Sequence, residues 1–229
     1  MTQKLFLALS LALTLIFACN NNQTPQVDYE KLYLHSMEVK DYQTAIVAAQ
    51  AILQSDSTRQ PYLDTLPELY ASVRNYAATE VYTDKVLTRR PNDEKFLQLK
   101  ALCLQEAGKG MELLDFYNKL YATTNKITYL YQVATIQVAA GDMKGAEASV
   151  KSLEEKMVNS TDSVDFMLSE TEKQLVPIRA AVYNVKAYMA AQNKNLMGAK
   201  KNFELALKEF PDFIAAQQNY MRLVQGGRQ

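Results

Sequence analysis

A regular spacing of small and hydrophobic residues constrains this 229-residue chain more than any other feature. Five similar segments align on one position, which is occupied by Ala45, Thr79, Leu113, Ala146 and Ala199. The intervals between these positions are 34, 34, 33 and 53 residues. Such a period indicates repeated helix pairs, each of which buries its apolar side only against its neighbours. The long last interval predicts an insertion between the fourth and fifth copies.

These segments resemble the second helix of the tetratricopeptide repeat, in which a small residue lets two helices approach closely. The best match contains Ala199, Phe203 and Pro211, and the residues from Gly141 to Ala148 fit the same repeat pattern. Thr79 and Leu113 are larger than the residue that the family prefers. The resemblance covers about residues 27–224. It implies an all-α fold, an α-α superhelix of about five helix hairpins with a C-terminal capping helix.

Each copy also needs a first helix with an apolar stripe. Such stripes occur at helical spacing in the third, fourth and fifth copies: Leu97, Ala101 and Leu104; Leu130 and Ala134; Tyr183, Ala187 and Ala190. The second copy is less regular, because Pro67 interrupts its stripe and removes a helical hydrogen bond. We therefore expect this helix to start late or to bend.

The end of the chain and the insertion have patterns of their own. Phe213, Ala216, Tyr220 and Leu223 recur on one face of a last helix, for which Asp212 is the predicted N-cap. In the insertion, residues 154–176, two short apolar runs flank the polar segment 169–173. Either a short β-hairpin near 160–176 or a disordered loop fits this pattern.

The first residues differ from the rest of the chain. Lys4 precedes the uncharged, mostly apolar run 5–17, which is too short to span a bilayer and is typical of a secretion signal. The following Leu15-Ile16-Phe17-Ala18-Cys19 resembles the lipobox of bacterial lipoproteins, although Phe17 is an unusual residue there. The resemblance implies cleavage after residue 18, lipidation of Cys19 and a polar tether over 19–26. The repeat domain is then predicted over 27–226.

Charge and composition favour few chemical functions. The 25 Lys and Arg residues balance 25 Asp and Glu residues, so there is no net charge to attract nucleic acid. His35 is the single histidine, and no glycine-rich phosphate loop, CxxC pair or EF-hand loop occurs. Cys103 lies among leucines and is predicted to fill the core. We therefore expect no enzyme activity, no cofactor and no metal.

The family resemblance also indicates a binding surface. In tetratricopeptide proteins the first helices line a concave face that binds peptides or proteins. The corresponding residues in copies three to five are polar or aromatic: Gln98 and Gln105, Tyr131 and Thr135, Asn184 and Tyr188. They do not form the basic set that clamps an acidic C-terminus in chaperone-type members. Ordinary exposed helix residues would show the same pattern.

Two functional hypotheses follow. The first is a lipid-anchored scaffold of the bacterial cell envelope that recruits other envelope proteins or peptides through its concave face. The absence of acidic residues directly after Cys19 resembles the pattern of lipoproteins sorted to the outer membrane, facing the periplasm. The alternative is an accessory lipoprotein that binds a glycan, a peptide or another nutrient.

Overall fold

The computed structural model describes residues 27–169 and 172–226. The predicted signal peptide, Cys19 and the polar tether lie outside these residues. The described chain divides into two compact units, one ending at Lys100 and the other beginning at Ala101. The boundaries predicted from the sequence for the repeat domain stay a prediction.

The described residues form eleven helices and one β-hairpin. The elements in chain order are α1 (Tyr29–Glu38), α2 (Tyr42–Ser55), α3 (Gln60–Ser72), α4 (Tyr76–Arg89), α5 (Glu94–Glu106), α6 (Gly110–Thr124), α7 (Ile127–Ala139), α8 (Met143–Met157), β1 (Ser163–Met167), β2 (Lys173–Pro177), α9 (Ile178–Gln192), α10 (Leu196–Glu209) and α11 (Ile214–Gly226). Odd and even helices from α1 to α10 pair as five hairpins, and α11 follows as the predicted additional helix. The predicted all-α hairpin array is confirmed.

The five aligned positions all lie near the start of a second helix and are all buried. Ala45, Thr79, Ala146 and Ala199 are fully inaccessible to solvent, and Leu113 keeps 8% of its surface. Thr79 fits because its hydroxyl donates to the carbonyl of Asn75, one helical turn earlier, at 2.9 Å. The period of the sequence therefore corresponds to a repeated point of close helix packing.

The same turn joins the two helices of every hairpin. One residue adopts positive φ at the end of the first helix: Lys40, Arg74, Gly108, Gly141 or Lys194. The next residue donates its N–H to a carbonyl at the end of the first helix, as Asn195 does to Ala190 at 2.8 Å. In four of the five turns the side chain of that residue, an Asp or Asn, also caps the second helix.

Helix α3 excludes one of its two sequence-based expectations, the late start, whereas the expected bend stays a prediction. The predicted late start is wrong, because the helix begins at Gln60 and continues through Pro67 to Ser72. Pro61 lies in the first turn, where its missing N–H has no helical partner. Pro67 is buried together with Leu66 and Leu69, so tertiary packing compensates for the lost hydrogen bond.

Each unit has its own apolar core. In the first unit, α1 to α4 bury Tyr33, Ile52 and Leu66. In the second unit a large cluster joins α7, α8, the hairpin, α9, α10 and α11, and its fully buried members include Leu153 and Phe213. Cys103 is buried, as predicted for a residue that fills the core.

The insertion forms the antiparallel hairpin of β1 and β2, with Asp165 opposite Leu175. The hairpin interpretation of residues 160–176 is thus confirmed, and the rival loop is excluded. The first residues of the predicted insertion, up to Met157, extend helix α8. The inner side of the hairpin buries Val164 and Val176 in the core of the second unit.

Candidate functional site

An apolar groove in the second unit is the first part of the candidate site. It lies between the end of α5, the start of α6 and the second half of α7, and its volume is about 720 Å³. The apolar side chains that line it include Met111, Leu113, Leu114, Tyr117 and Ile136. Met111 is 78% exposed. We call this feature the Leu113 groove.

Leu113 gives a physical reason for the groove. It occupies the position where the other four hairpins carry Ala or Thr, and a larger side chain at a helix contact holds the axes further apart. The backbone beside it is open, because a methyl group added at Gly108 or Gly110 would meet no atom within 4 Å. The side chain that weakens the match to the repeat pattern therefore also shapes the surface.

Two of the predicted binding residues line this groove. Gln105 is exposed at the end of α5, and Thr135 is half-buried on α7. The hydroxyl of Thr135 donates to the carbonyl of Gln132 at 2.9 Å, so its methyl and its remaining acceptor capacity are what a ligand would meet. Burial raises the pKa of Tyr117, which stays a neutral phenol at the groove wall.

Three other predicted residues lie on α7 and α9. Tyr131 and Asn184 are buried, with 5% and 2% of their surfaces exposed, whereas Tyr188 is 41% exposed. Burial raises the pKa of Tyr131, and the nearby hydroxyl of Tyr188 raises it further. The side chains of Tyr131 and Asn184 therefore lie beneath the surface and support the exposed residues above them. Tyr188 is the member of this group that is exposed to solvent.

The exposed side of Tyr188 is held in place by two contacts. Its hydroxyl accepts a hydrogen bond from the amide of Asn219 in α11 at 2.5 Å. Its ring meets the ring of Phe203 edge-on, with centroids 6.0 Å apart. A tyrosine held in this way presents a rigid amphipathic surface at little entropic cost on binding.

Asn184 carries a polar atom without a partner. Its Oδ1 is buried and has no hydrogen bond among the described residues. Such an atom costs about 1–3 kcal/mol when it stays unsatisfied, so a donor that reached it from a ligand or from water would be bound favourably. The repeat pattern predicts Asn184 on the concave face, and the structure shows that its side chain is buried.

The sixth predicted residue, Gln98, lies in the first unit, where it is exposed on α5. The binding roles predicted for all six residues stay predictions. Sequence reasoning did not find Met111, Leu114 or Tyr117 as site residues. The large residue at position 113 was visible in the sequence as a departure from the repeat pattern. The groove itself becomes visible only when α6 packs against α7.

The described part of the chain offers few groups that could bind a metal ion or carry out catalysis. No group of three His, Cys, Asp or Glu side chains there is arranged to hold a metal ion. His35 is exposed and lies 4.0 Å from the carboxylate of Glu38, a surface pair worth little energy. Within the same residues, no helix is long and apolar enough to cross a bilayer.

Comparison with solved structures identifies the fold. A tetratricopeptide repeat protein from Parabacteroides merdae matches 85% of this chain and 72% of its own, with a TM-score of 0.62 and 14% identity. YrrB, a protein of the same repeat class with an unusual peptide-binding site, matches 89% of this chain and 96% of its own (TM-score 0.54, 14% identity). PilW, a type IV pilus biogenesis factor, matches 87% and 86% (TM-score 0.51, 13% identity). No family model and no curated protein matches the sequence.

Proposed function

From the tetratricopeptide-repeat fold, we propose that this chain is a non-catalytic scaffold that binds another protein or a peptide. The observation that carries the proposal is the Leu113 groove, an apolar depression whose lining also includes the polar side chains of Gln105 and Gln132. Recognition surfaces commonly combine an apolar centre with polar groups that fix orientation. YrrB, which has a peptide-binding site on this fold, supports the same interpretation.

The partner is proposed to reach two places on the second unit. An apolar side chain of the partner inserts beside Met111 and Tyr117, and polar or aromatic groups meet Tyr188. Alanine replacement of such anchors in other interfaces typically costs about 2 kcal/mol or more. We expect Tyr117→Ala and Tyr188→Ala each to weaken the complex more than replacement of an exposed residue elsewhere.

The location of the scaffold is part of the proposal. We propose that Cys19 carries a lipid and that the protein is held on the cell envelope, by preference on the outer membrane facing the periplasm. The support is the sequence alone: the apolar run 5–17 and the lipobox-like residues that end at Cys19. Several acyl chains on one cysteine give stable anchoring where a single chain does not.

Site-specific crosslinking tests the binding surface. A photoreactive amino acid at Met111 should yield a defined adduct with an envelope protein in intact cells. The matched control is Lys119, which lies on the same helix with 75% of its side chain exposed but does not line the groove. Equal adducts from both sites, or none from Met111, would contradict binding at the groove.

Anchoring is tested separately. Cys19→Ser should release the protein from the membrane fraction, and metabolic labelling with a fatty acid should be lost in the same variant. Unchanged fractionation or labelling would show that Cys19 is not the anchor.

The size of the groove also favours a second candidate, an apolar small molecule, because sites of about 300–1,000 Å³ commonly hold such ligands. Under this alternative a compound that raises the melting temperature should lose its effect in Tyr117→Ala, and the photoreactive residue at Met111 should yield no protein adduct. A compound that abolishes the Met111 adduct would instead place both ligands at one site.

A further inference from the structure

The β-hairpin has two free edges, and the hydrogen bonds around it show which residues face them. The ladder continues beyond both ends, where Leu168 donates to Glu172 at 2.8 Å and Ile178 donates to Asp162 at 2.9 Å. In an antiparallel pair, bonded and non-bonded residue pairs alternate. The bonded pairs inside the hairpin are therefore Val164 with Val176 and Phe166 with Gln174.

The remaining residues direct their backbone N–H and C=O groups away from the partner strand. They are Ser163, Asp165 and Met167 on β1, and Lys173, Leu175 and Pro177 on β2. The sheet has two strands, so no further strand covers either edge within the described residues. Pro177 fits this assignment, because an edge-facing position does not use the N–H that proline lacks.

The outer face of the hairpin is more apolar than a solvent-facing strand usually is. Met167 is 64% exposed and Leu175 is 63% exposed. Beside them the Lys173 ammonium lies 2.8 Å from Oδ2 of Asp165, and the carboxylate has a second oxygen that can accept from another cation. An exposed strand edge with apolar side chains readily pairs with another extended segment.

Contacts on the inner face hold the hairpin in place. The ring of Phe166 meets the ring of Phe213 edge-on at 4.7 Å and the ring of Tyr131 at 6.4 Å. The amide of Gln174 donates to the carbonyl of Asp212 and accepts from the N–H of Ile214. A strand that is already ordered loses little conformational entropy when another chain pairs with it.

We propose that β1 accepts an extended segment of a partner protein as a third strand of this sheet. Ser163, Asp165 and Met167 each direct both an N–H donor and a C=O acceptor to the free edge of β1. The edge of β2 has one donor fewer, because Pro177 has no N–H. This interaction is a main-chain pairing. It goes beyond the side-chain recognition proposed for the helices, and it does not depend on the Leu113 groove.

The side chains of the edge define the chemistry of the segment. Directly opposite residues on neighbouring strands contact each other, so an apolar residue fits opposite Met167 and a basic residue fits opposite Asp165. A second copy of this chain fits poorly. If two copies of β1 pair antiparallel over all three edge residues, Ser163 lies opposite Met167 and Asp165 lies opposite Asp165. Like charges directly opposite each other are destabilising.

A synthetic strand peptide tests the pairing. The probe is a fluorescein-labelled peptide in which valine, lysine and valine, spaced by threonines, face the positions of Met167, Asp165 and Ser163. Fluorescence anisotropy with the full-length protein should show saturable binding at sub-millimolar concentration. N-methylation of the valine and lysine amides should abolish it, whereas N-methylation of the threonine amides, which point away from β1, should not.

Three protein variants complete the test. Asp165→Pro removes an edge N–H that the hairpin itself does not use, and it should weaken binding by more than about tenfold, or 1.4 kcal/mol. Asp165→Asn keeps the N–H and should weaken binding less. Leu175→Pro alters only the edge of β2 and should leave binding unchanged. Thermal unfolding and the NMR signals of Val164 and Val176 check that each variant keeps the hairpin.

The outcomes separate this proposal from the others. Equal binding by the wild type and a folded Asp165→Pro variant, equal binding of both methylated peptides, or no binding at all would overturn it. A dimer in solution that Asp165→Pro abolishes would also overturn it, in favour of self-pairing. The Met111 crosslink reports on the groove alone, so its failure leaves the strand proposal standing, and the reverse also holds.

Discussion

Phe166 and Phe213 meet edge-on, with ring centroids 4.7 Å apart and planes at 77°. Phe166 belongs to the inserted hairpin, and Phe213 immediately precedes the last helix, α11. Phe213 is fully buried, so this contact ties the insertion to the core of the second unit. The insertion is thus a structural part of the repeat array as well as a candidate binding element.

Phe166→Ala tests how strongly the hairpin is anchored. Since the ring is only half-buried, we expect the free energy of unfolding to fall by about 2 kcal/mol, less than for a fully buried phenylalanine. Met167→Ala is the matched control, because its side chain points to solvent and should change stability by less than about 0.5 kcal/mol. Urea denaturation measures both. Equal effects of the two variants would show that the aromatic contact does not anchor the hairpin.

Gln174→Ala tests the amide that joins the hairpin to the start of α11. The variant loses a donor to the Asp212 carbonyl and an acceptor for the Ile214 N–H, and we expect a cost of about 1–2 kcal/mol. Gln174→Glu keeps an acceptor for the Ile214 N–H but loses the donor to the Asp212 carbonyl. Hydrogen exchange at the Ile214 amide should accelerate in Gln174→Ala and stay slow in Gln174→Glu. If exchange accelerates equally in both, the capping role of Gln174 is wrong.

Gly141→Ala tests the turn that recurs in every hairpin. A methyl group at Gly141 would meet no atom within 4 Å, but the residue has a φ of +77°. We therefore expect a loss of about 1 kcal/mol from backbone strain alone. Gly110→Ala is the control, since Gly110 is also open but begins a helix without positive φ. It should be neutral or stabilising. Thermal unfolding of the two variants makes the comparison.

The burial of Tyr131 predicts a dependence of stability on alkaline pH. Its pKa is raised above the usual 10.0 in the folded protein, mainly by burial. The unfolded chain therefore loses this proton first, so the stabilisation is complete below pH 10 and decreases as the pH rises above it. Tyr131→Phe should make the unfolding free energy less steep between about pH 10 and 11. An unchanged slope in this variant would contradict the assignment.

Much of the fold was predictable because it depends on local patterns. Ala45, Ala146 and Ala199 repeat at the spacing of a helix hairpin, and each is buried where two helices approach. The turns were only partly predictable. Gly108 and Gly141 mark positive φ in the sequence, but Lys40, Arg74 and Lys194 adopt the same conformation without glycine. There the packing of the flanking helices outweighs the local preference.

The candidate site was harder to predict, for reasons visible at individual residues. Tyr131 and Asn184 occupy the helical positions that the repeat pattern assigns to a binding face, yet both are buried. The ring of Phe166 lies 6.4 Å from that of Tyr131, so the inserted hairpin covers part of this face. A periodic pattern cannot specify where an insertion folds back. The start of α11 shows the same effect, because the side chain of Gln174 in the hairpin accepts from the Ile214 N–H, a contact that the sequence pattern does not indicate.

The sequence by itself determined the helix hairpins, their order and the place of the insertion, because helical periodicity and close packing at small residues act over a few turns of chain. Only the tertiary structure decided that α3 continues through Pro67, that the hairpin docks on Phe213 and that a groove opens beside Leu113. Those features depend on contacts between residues far apart in the chain, where shape and burial outweigh local preference.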